Sequence, residues 1–197
     1  IGYTFTNKRT LALAMTHSSY ANEQRGRRKA NNERLEFLGD AVLEVTISDY
    51  VFREYPGYNE GRLTKLRSSL VCEYTLAICA RDVELGKYLL LSRGEDATGG
   101  RERDSILSDA FEALIGAIYL DQDYRVAKRF VFERLIQRHL NIDTVAEIET
   151  NYKSKLIEWS QKQKISVSFD LVDSYVDENN TPIFKTAVII MGLQAGL

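Results

Sequence analysis

The chain has 197 residues, 44% of them hydrophobic, and a formal net charge of −2. That length accommodates one large domain or two ordinary ones with adequate cores, and the charge excludes a uniformly basic nucleic-acid-binding polypeptide. No run approaches the roughly 18 apolar residues of a membrane span, and no basic stretch leads into a short apolar one, so neither a span nor a secretory leader is read here. The sequence opens on Ile1 rather than Met, and a preceding segment could carry a signal outside this reading.

From Asn7 to about Leu140 the apolar residues recur at three and four, which predicts an all-α region with helices at about 7–14, 31–54, 60–81, 101–121 and 123–139. Pro56-Gly57 ends the second helix and Gly99-Gly100 precedes the fourth. The two cysteines, Cys72 and Cys79, lie seven apart in an apolar, helix-like run. Two helical turns place both on one face, where core packing outweighs a disulfide or metal pair; this suits a reducing cytoplasm. The charges are unevenly spread: Arg25, Arg27, Arg28 and Lys29 cluster, as do Arg93, Arg101 and Arg103. Such clusters gather anions or are simply solvated loops.

After about Ile148 the periodicity changes. One amphipathic helix, Tyr152 to Gln163, is followed by alternating runs at Ser166–Val176 and Ile183–Met191 and by the beginning of a third strand, predicting an α-β-β-β unit. The boundary is placed between residues 148 and 149, and the segment from Asp143 to Thr150 reads as an acidic linker.

Glu33, Glu36 and Asp40 fall at i, i+3 and i+7 and therefore share one face of the second predicted helix. Nothing basic at i±4 relieves their mutual repulsion, since Arg34 points elsewhere, and a cation over that face would. Gly39, inside the same helix, costs up to about 1 kcal/mol against alanine, which predicts a close approach by another part of the chain. A second pair, Asp109 and Glu112 at i and i+3, lies in an otherwise small or apolar helix, where a buried carboxylate must be paired, protonated or metal-bound. Glu36, Asp40, Asp109 and Glu112 can then converge from two packed helices as an all-oxygen site, which favours Mg²⁺ or Mn²⁺ over zinc and can activate water for phosphodiester hydrolysis. The alternative is exposed acids satisfied by Arg67 or Arg103. A di-iron bundle needs Glu-x-x-His motifs, and His17 and His139 are not so placed.

The eleven residues Glu-Arg-Leu-Glu-Phe-Leu-Gly-Asp-Ala-Val-Leu at 33–43 resemble the signature of the ribonuclease III family. So do, in order, residues 13–20, 60–71 and 99–121. The resemblance implies an all-α endonuclease domain over residues 1–148 and, over 149–197, a small α+β double-stranded-RNA-binding domain lacking its last helix. It implies that Asp40 and Glu112 are catalytic, that Glu36, Asp40, Asp109 and Glu112 hold Mg²⁺ with Mn²⁺ as substitute, and that Glu33 and Glu60 are additional acids of the valley. It also implies cleavage of double-stranded RNA to 5′ phosphates and short 3′ overhangs by a cytoplasmic homodimer, with no membrane or small-molecule cofactor, in the processing of ribosomal, messenger and other structured RNA.

Phe37 beside the acids is core by pattern, but the resemblance makes it a dimer contact. Gly99, Gly100, Arg101 and Arg103 resemble a substrate-contacting loop, which could also be a plain helix entry. His17 is read as a hydrogen-bonded pin for the first helix rather than a catalytic group. In the helix at 152–163, Ser154, Ile157 and Glu158 fall at positions facing the RNA minor groove; Ile157 departs from the usual polar residue, leaving Ser154 and Glu158 as RNA-binding candidates. Without the last helix one sheet face is expected to stay open and RNA binding by this stretch to be weak. Two other functions fit the same residues: a non-catalytic RNA-binding scaffold, and a helical phosphohydrolase with a closed pocket.

Overall fold

The computed structural model describes residues 2–23, 30–137, 152–176 and 182–196, with backbone alone at 152–155, 158, 176 and 182–183. The expectations for Arg25, Arg27, Arg28, Lys29, His139 and the linker lie outside these residues. The chain divides into two units, Ile1–Glu147 and Ile148–Leu197.

The first unit is helical: α1 (Lys8–Ala14), α2 (Ser18–Glu23), α3 (Glu33–Glu54), α4 (Glu60–Leu70), α5 (Glu73–Asp82), α6 (Arg93–Ala97), α7 (Asp104–Asp121) and α8 (Tyr124–Val131), which runs into a π-helical turn at Phe132–Ile136. Side-chain oxygens of Asn7, Asn59, Ser92 and Asp123 accept backbone N–H groups in the first turns of α1, α4, α6 and α8, satisfying donors a helix start leaves open.

The single helix expected over 60–81 is two. The break comes at Val71-Cys72, where Cys72 is extended (φ −74°, ψ 155°) and the Ser69 carbonyl accepts from the Thr75 hydroxyl and the Cys72 thiol instead of a helical amide. Short polar side chains offer the backbone this alternative, and apolar periodicity does not register it. Cys72 is consequently exposed and only Cys79 is buried, its thiol pushed up to about 12 mainly by burial. The helix expected from residue 101 begins at Asp104, after a short 3-10 turn at Gly100–Glu102.

Helix α7 is the axis of this unit. From Ile106 to Ile118 it is buried on nearly every side, and it packs against α1, α3, α5 and α8, most extensively α3. The pairing of α3 with α7 is unusually close because both helices carry glycine at the crossing. A Cβ on Gly39 would lie 1.8 Å from the Glu112 carbonyl oxygen, and one on Gly116 would lie 2.3 Å from that of Leu35. Gly39 thus has the close approach its sequence position predicted. At the far end of α7, the Asp121 carboxylate accepts the backbone N–H groups of Thr6 and Asn7 (2.8 and 2.7 Å) and the Tyr3 hydroxyl, which fastens the N-terminal segment.

The second unit is α9 (Tyr152–Gln163) followed by an antiparallel sheet, β1 (Val167–Val176), β2 (Pro182–Ile190) and β3 (Leu193–Gly196), in that order. β1 and β2 pair from Val167↔Ile190 to Val176↔Pro182, with an irregularity between Leu171 and Asp173. Met191 and Gly192, both at positive φ, close the second hairpin, as such turns require. Leu171, Val172, Tyr175 and Phe184 are exposed; Phe184 pairs beside Ser174 and Tyr175 beside Ile183, so these side chains are spread over both faces of the sheet.

Candidate active site

The crossing of α3 and α7 determines where the acids stand. Glu36 and Asp40 flank Gly39, and Glu112 is the residue whose carbonyl Gly39 meets. Asp109 lies one turn earlier on α7. The four carboxyls share one electrostatic neighbourhood. Glu112 is pushed up to about 8, first by burial and then by Asp40, Glu36, Asp109 and Glu44. Glu36 is raised by burial and then by Asp109, Glu33 and Asp40. Asp109 is raised by burial and then by Glu73, with His17 and a hydrogen bond from the Ser108 hydroxyl (3.5 Å) acting the other way. These shifts have the ordinary causes of desolvation and like charge.

Glu33 therefore joins the seam through Glu36. Glu60 does not: it is exposed at the start of α4, accepts from the Thr64 hydroxyl at 3.0 Å, and is not among the acids that raise Glu36, Asp109 or Glu112. Two acids escaped the sequence reading. Glu44 continues the spacing from Glu36 and Asp40 by one more turn and was legible in principle. Glu73, on α5, is brought to Asp109 by tertiary packing, and nothing local announces it.

The cations that could have satisfied these acids go elsewhere. Arg67 pairs with Glu44 at 2.9 Å and Arg103 pairs with Glu95. Among the described residues no Lys or Arg forms an ion pair with Glu36, Asp40, Asp109 or Glu112. Nor are any three Asp, Glu, His or Cys side chains of those residues gathered closely enough to form a ready-made metal site. The donor set nonetheless fits a hard divalent cation: it is all carboxylate oxygen, partly buried, and, among the described residues, not ion-paired to any Lys or Arg.

The loop from Gly94 to Arg103 is internally braced. The Arg101 guanidinium donates to the carbonyls of Gly86 (2.9 Å) and Leu89 (2.8 Å) and to both oxygens of Asp96 (2.7 and 3.1 Å), so its donors are engaged within the chain. Gly100 is buried, and a Cβ there would lie 2.8 Å from Glu95. Gly99 turns the chain at φ +79° with open space beside it, and Arg103 is exposed beyond its contact with Glu95. His17 is hydrogen-bonded, but at the start of α2 rather than to the first helix: Nδ1 contacts the Ser19 hydroxyl at 2.8 Å, and that hydroxyl accepts the Ser92 N–H at 3.0 Å. Phe37 is 80% exposed, so within this chain it is not core. Ser154 and Glu158 lie on α9, but their side chains are outside the description. A cavity of about 940 Å³, lined by Tyr3, Phe5, Lys8, Leu11, Tyr88 and their neighbours, includes none of the four acids.

An all-α unit with a carboxylate seam at a glycine-mediated helix crossing, joined to an α-β-β-β unit, defines the class of protein. The Ribonuclease-III-like family profile matches residues 7–139, and the chain belongs to the ribonuclease III family. It is 41% identical over 196 residues to Ribonuclease 3 of Bacteroides thetaiotaomicron, covering 100% of this chain and 62% of that protein. It is 48% identical over 162 residues to Ribonuclease 3 of Bacillus cereus, covering 82% and 65%; the chain thus spans less than two thirds of either relative.

Among solved structures, the nuclease domain of ribonuclease III from Campylobacter jejuni is 42% identical with a TM-score of 0.65, covering 72% of this chain and 92% of that one. A second structure of that domain, described by flexibility in a region involved in dimer formation, has a TM-score of 0.64, with 70% and 92% coverage. Dicer from Pichia stipitis, 20% identical with a TM-score of 0.51, shares the fold over 99% of this chain and 84% of that one.

Proposed function

We propose that the chain is the greater part of a double-strand-specific endoribonuclease that hydrolyses phosphodiester bonds with a divalent cation, Mg²⁺ or Mn²⁺, as a homodimer. The observation that carries this is the crossing of α3 and α7 at Gly39, where Glu36, Asp40, Asp109 and Glu112 come together without an ion-paired Lys or Arg among the described residues, and where Glu112 is pushed up to about 8. Glu36, Asp40, Asp109 and Glu112 would hold the metal. When bound, it supplies a nucleophilic water near neutral pH and charge stabilisation for the leaving oxygen. The chain's own part is to present four carboxyl groups from two helices locked at Gly39 and Gly116, of which Glu112 would have to give up its proton to act as a ligand. Asp40 and Glu112 are proposed as the acids most directly tied to cleavage; Glu33 belongs to the rim, and Glu60 is assigned to the valley formed with a partner subunit.

Phe37 fits the partner contact. It is exposed on the acid-bearing helix, with Val45 and Phe52 exposed further along it, and a stripe of this kind marks an interface. For RNA, the braced loop offers the Gly99 turn and the Arg103 charge, with Gly100 and Arg101 holding its shape. Ser154 and Glu158 are the candidate minor-groove contacts of α9. Products would carry 5′ phosphates and short 3′ overhangs, and the substrates would be ribosomal, messenger and other structured RNA in the cytoplasm. Among the described residues no helix is long and apolar enough to cross a membrane.

The test is a long perfect RNA duplex incubated with Mg²⁺ and the protein, beside an Asp40→Asn, Glu112→Gln double variant and an EDTA control. Short duplex products from the parent alone, lost with EDTA, are expected. Intact RNA in every lane, with the dimer verified separately and the remaining length of a relative restored, would instead favour a non-catalytic scaffold.

A further inference from the structure

We propose that Arg67 is a positioning residue for the carboxylate seam: by holding Glu44 it sets the charge that a divalent cation meets beside Glu112. The proposal rests on the nuclease reading above and deepens it.

Glu44 follows Glu36 and Asp40 on α3 at i+8 and i+4, which places it one turn beyond Asp40 on the acid-bearing side. It is one of four acids that push the Glu112 carboxyl up. Among the described residues it is the one of those four that forms an ion pair with a Lys or Arg. Arg67, on α4, brings Nε to 2.9 Å from Glu44 Oε2, with both side chains 35% exposed. The same guanidinium donates from Nη1 to the Ser48 hydroxyl at 3.0 Å, and Ser48 lies one further turn along α3. The Nε–H is off the line to any acceptor, so the contact with Glu44 is an ion pair without an aligned hydrogen bond. What holds the arginine is therefore charge and the Ser48 bond, and what the arginine does is cancel an acid at the end of the seam.

Cancelling that acid has a consequence a simple helix tie would lack. Partly buried charges within a Debye length of each other, roughly 8 Å at physiological salt, are incompletely screened, and adding or removing one beside a divalent ion changes its affinity roughly three- to tenfold. Glu44→Gln removes an anion and leaves Arg67 unopposed; Arg67→Gln removes the cation and leaves Glu44 unopposed. Both substitutions break the same ion pair. They alter the field at the seam in opposite directions.

The experiment measures the Mn²⁺ dissociation constant of the whole chain, without RNA, by the paramagnetic resonance signal of free Mn²⁺, together with the thermal midpoint of each variant. Arg67→Gln is expected to tighten Mn²⁺ and Glu44→Gln to weaken it, each roughly three- to tenfold, with the double variant close to the parent. A purely structural tie predicts that both single variants shift affinity in the same direction or not at all, and that result overturns the proposal. If Arg67→Gln does not fold, Glu44→Gln must still bind Mn²⁺ more weakly than the double variant, because only the former leaves a net positive charge behind; equal affinities would overturn it. Absence of Mn²⁺ binding by the parent chain would bring down the metal reading and this inference together, whereas parallel shifts remove this inference alone.

Discussion

Gly39 meets the carbonyl of Glu112 so closely that a Cβ on the glycine would sit 1.8 Å from the oxygen and 2.9 Å from the Gly116 nitrogen. Since Glu112 is both the point of contact and a seam acid, the packing of α3 on α7 and the placing of the carboxylates are one event. Replacing Gly39 with alanine gains about 1 kcal/mol of helix propensity but forces a methyl into backbone, which moves less readily than a side chain. Overpacking commonly costs about 1–3 kcal/mol, and this contact belongs at the upper end or beyond. Gly39→Ala is therefore expected to lose about 2 kcal/mol or more in urea unfolding and to weaken divalent binding with it. A variant as stable as the parent would show that the crossing can relax and that the seam is not fixed by it.

The raised Glu112 carboxyl makes a second, signed expectation. An unfolded glutamate titrates near 4.3, while folded Glu112 does so at about 8. Between those values the folded chain holds a proton the unfolded chain has released, so the stabilising effect present below the unfolded value is progressively lost as pH rises toward 8. Glu112→Gln cannot ionise. Its melting temperature should match the parent's near pH 4 and exceed it by several degrees at pH 8.5. Mg²⁺ should raise the parent's melting temperature at pH 8.5 and leave that of Glu112→Gln nearly unchanged. Equal pH profiles for the two proteins would show that Glu112 is not held protonated by its neighbours.

What was legible in the sequence divides along the range of the interactions involved. The pairs Glu36/Asp40 and Asp109/Glu112 were visible because helical spacing is local, and the close approach at Gly39 because a mid-helix glycine is costly without one. The break at Val71-Cys72 was missed since it depends on the Ser69 carbonyl exchanging partners, an event in which hydropathy takes no part. Glu73 was missed because α5 reaches Asp109 only through the tertiary packing of α5 on α7. Arg101 was read as a charge of a substrate-contacting loop, and its engagement with Gly86 and Leu89 was not legible because it needs the fold to bring residues 12–15 positions away onto one guanidinium.

Phe37 supplies a third expectation. At 80% exposure it contributes little to the isolated chain, so truncating it to alanine should change unfolding free energy by less than about 0.5 kcal/mol, as for other surface positions. If the residue seats in a partner subunit, Phe37→Ala or Phe37→Glu should convert a dimer to a monomer in light scattering behind gel filtration, and the monomer should unfold at nearly the parent's temperature when protein is dilute. A Phe37→Glu protein that remains dimeric would remove this residue from the interface.

The two loop arginines should separate by assay. Arg101 donates to two carbonyls of buried residues, Gly86 and Leu89, as well as to Asp96. Truncating it to alanine leaves those carbonyls short of donors, at a cost of about 1–3 kcal/mol, and lysine cannot reproduce the planar fork. Arg103 is 46% exposed and pairs with Glu95 at the surface, where such pairs are worth about 1 kcal/mol or less. Arg101→Ala should therefore lower stability and bind duplex RNA poorly for that reason. Arg103→Ala should fold as well as the parent while losing RNA affinity, with the dependence of binding on salt reduced by roughly one counterion. Should Arg103→Ala bind RNA as the parent does with an unchanged salt slope, the phosphate contact assigned to this loop would have to move elsewhere.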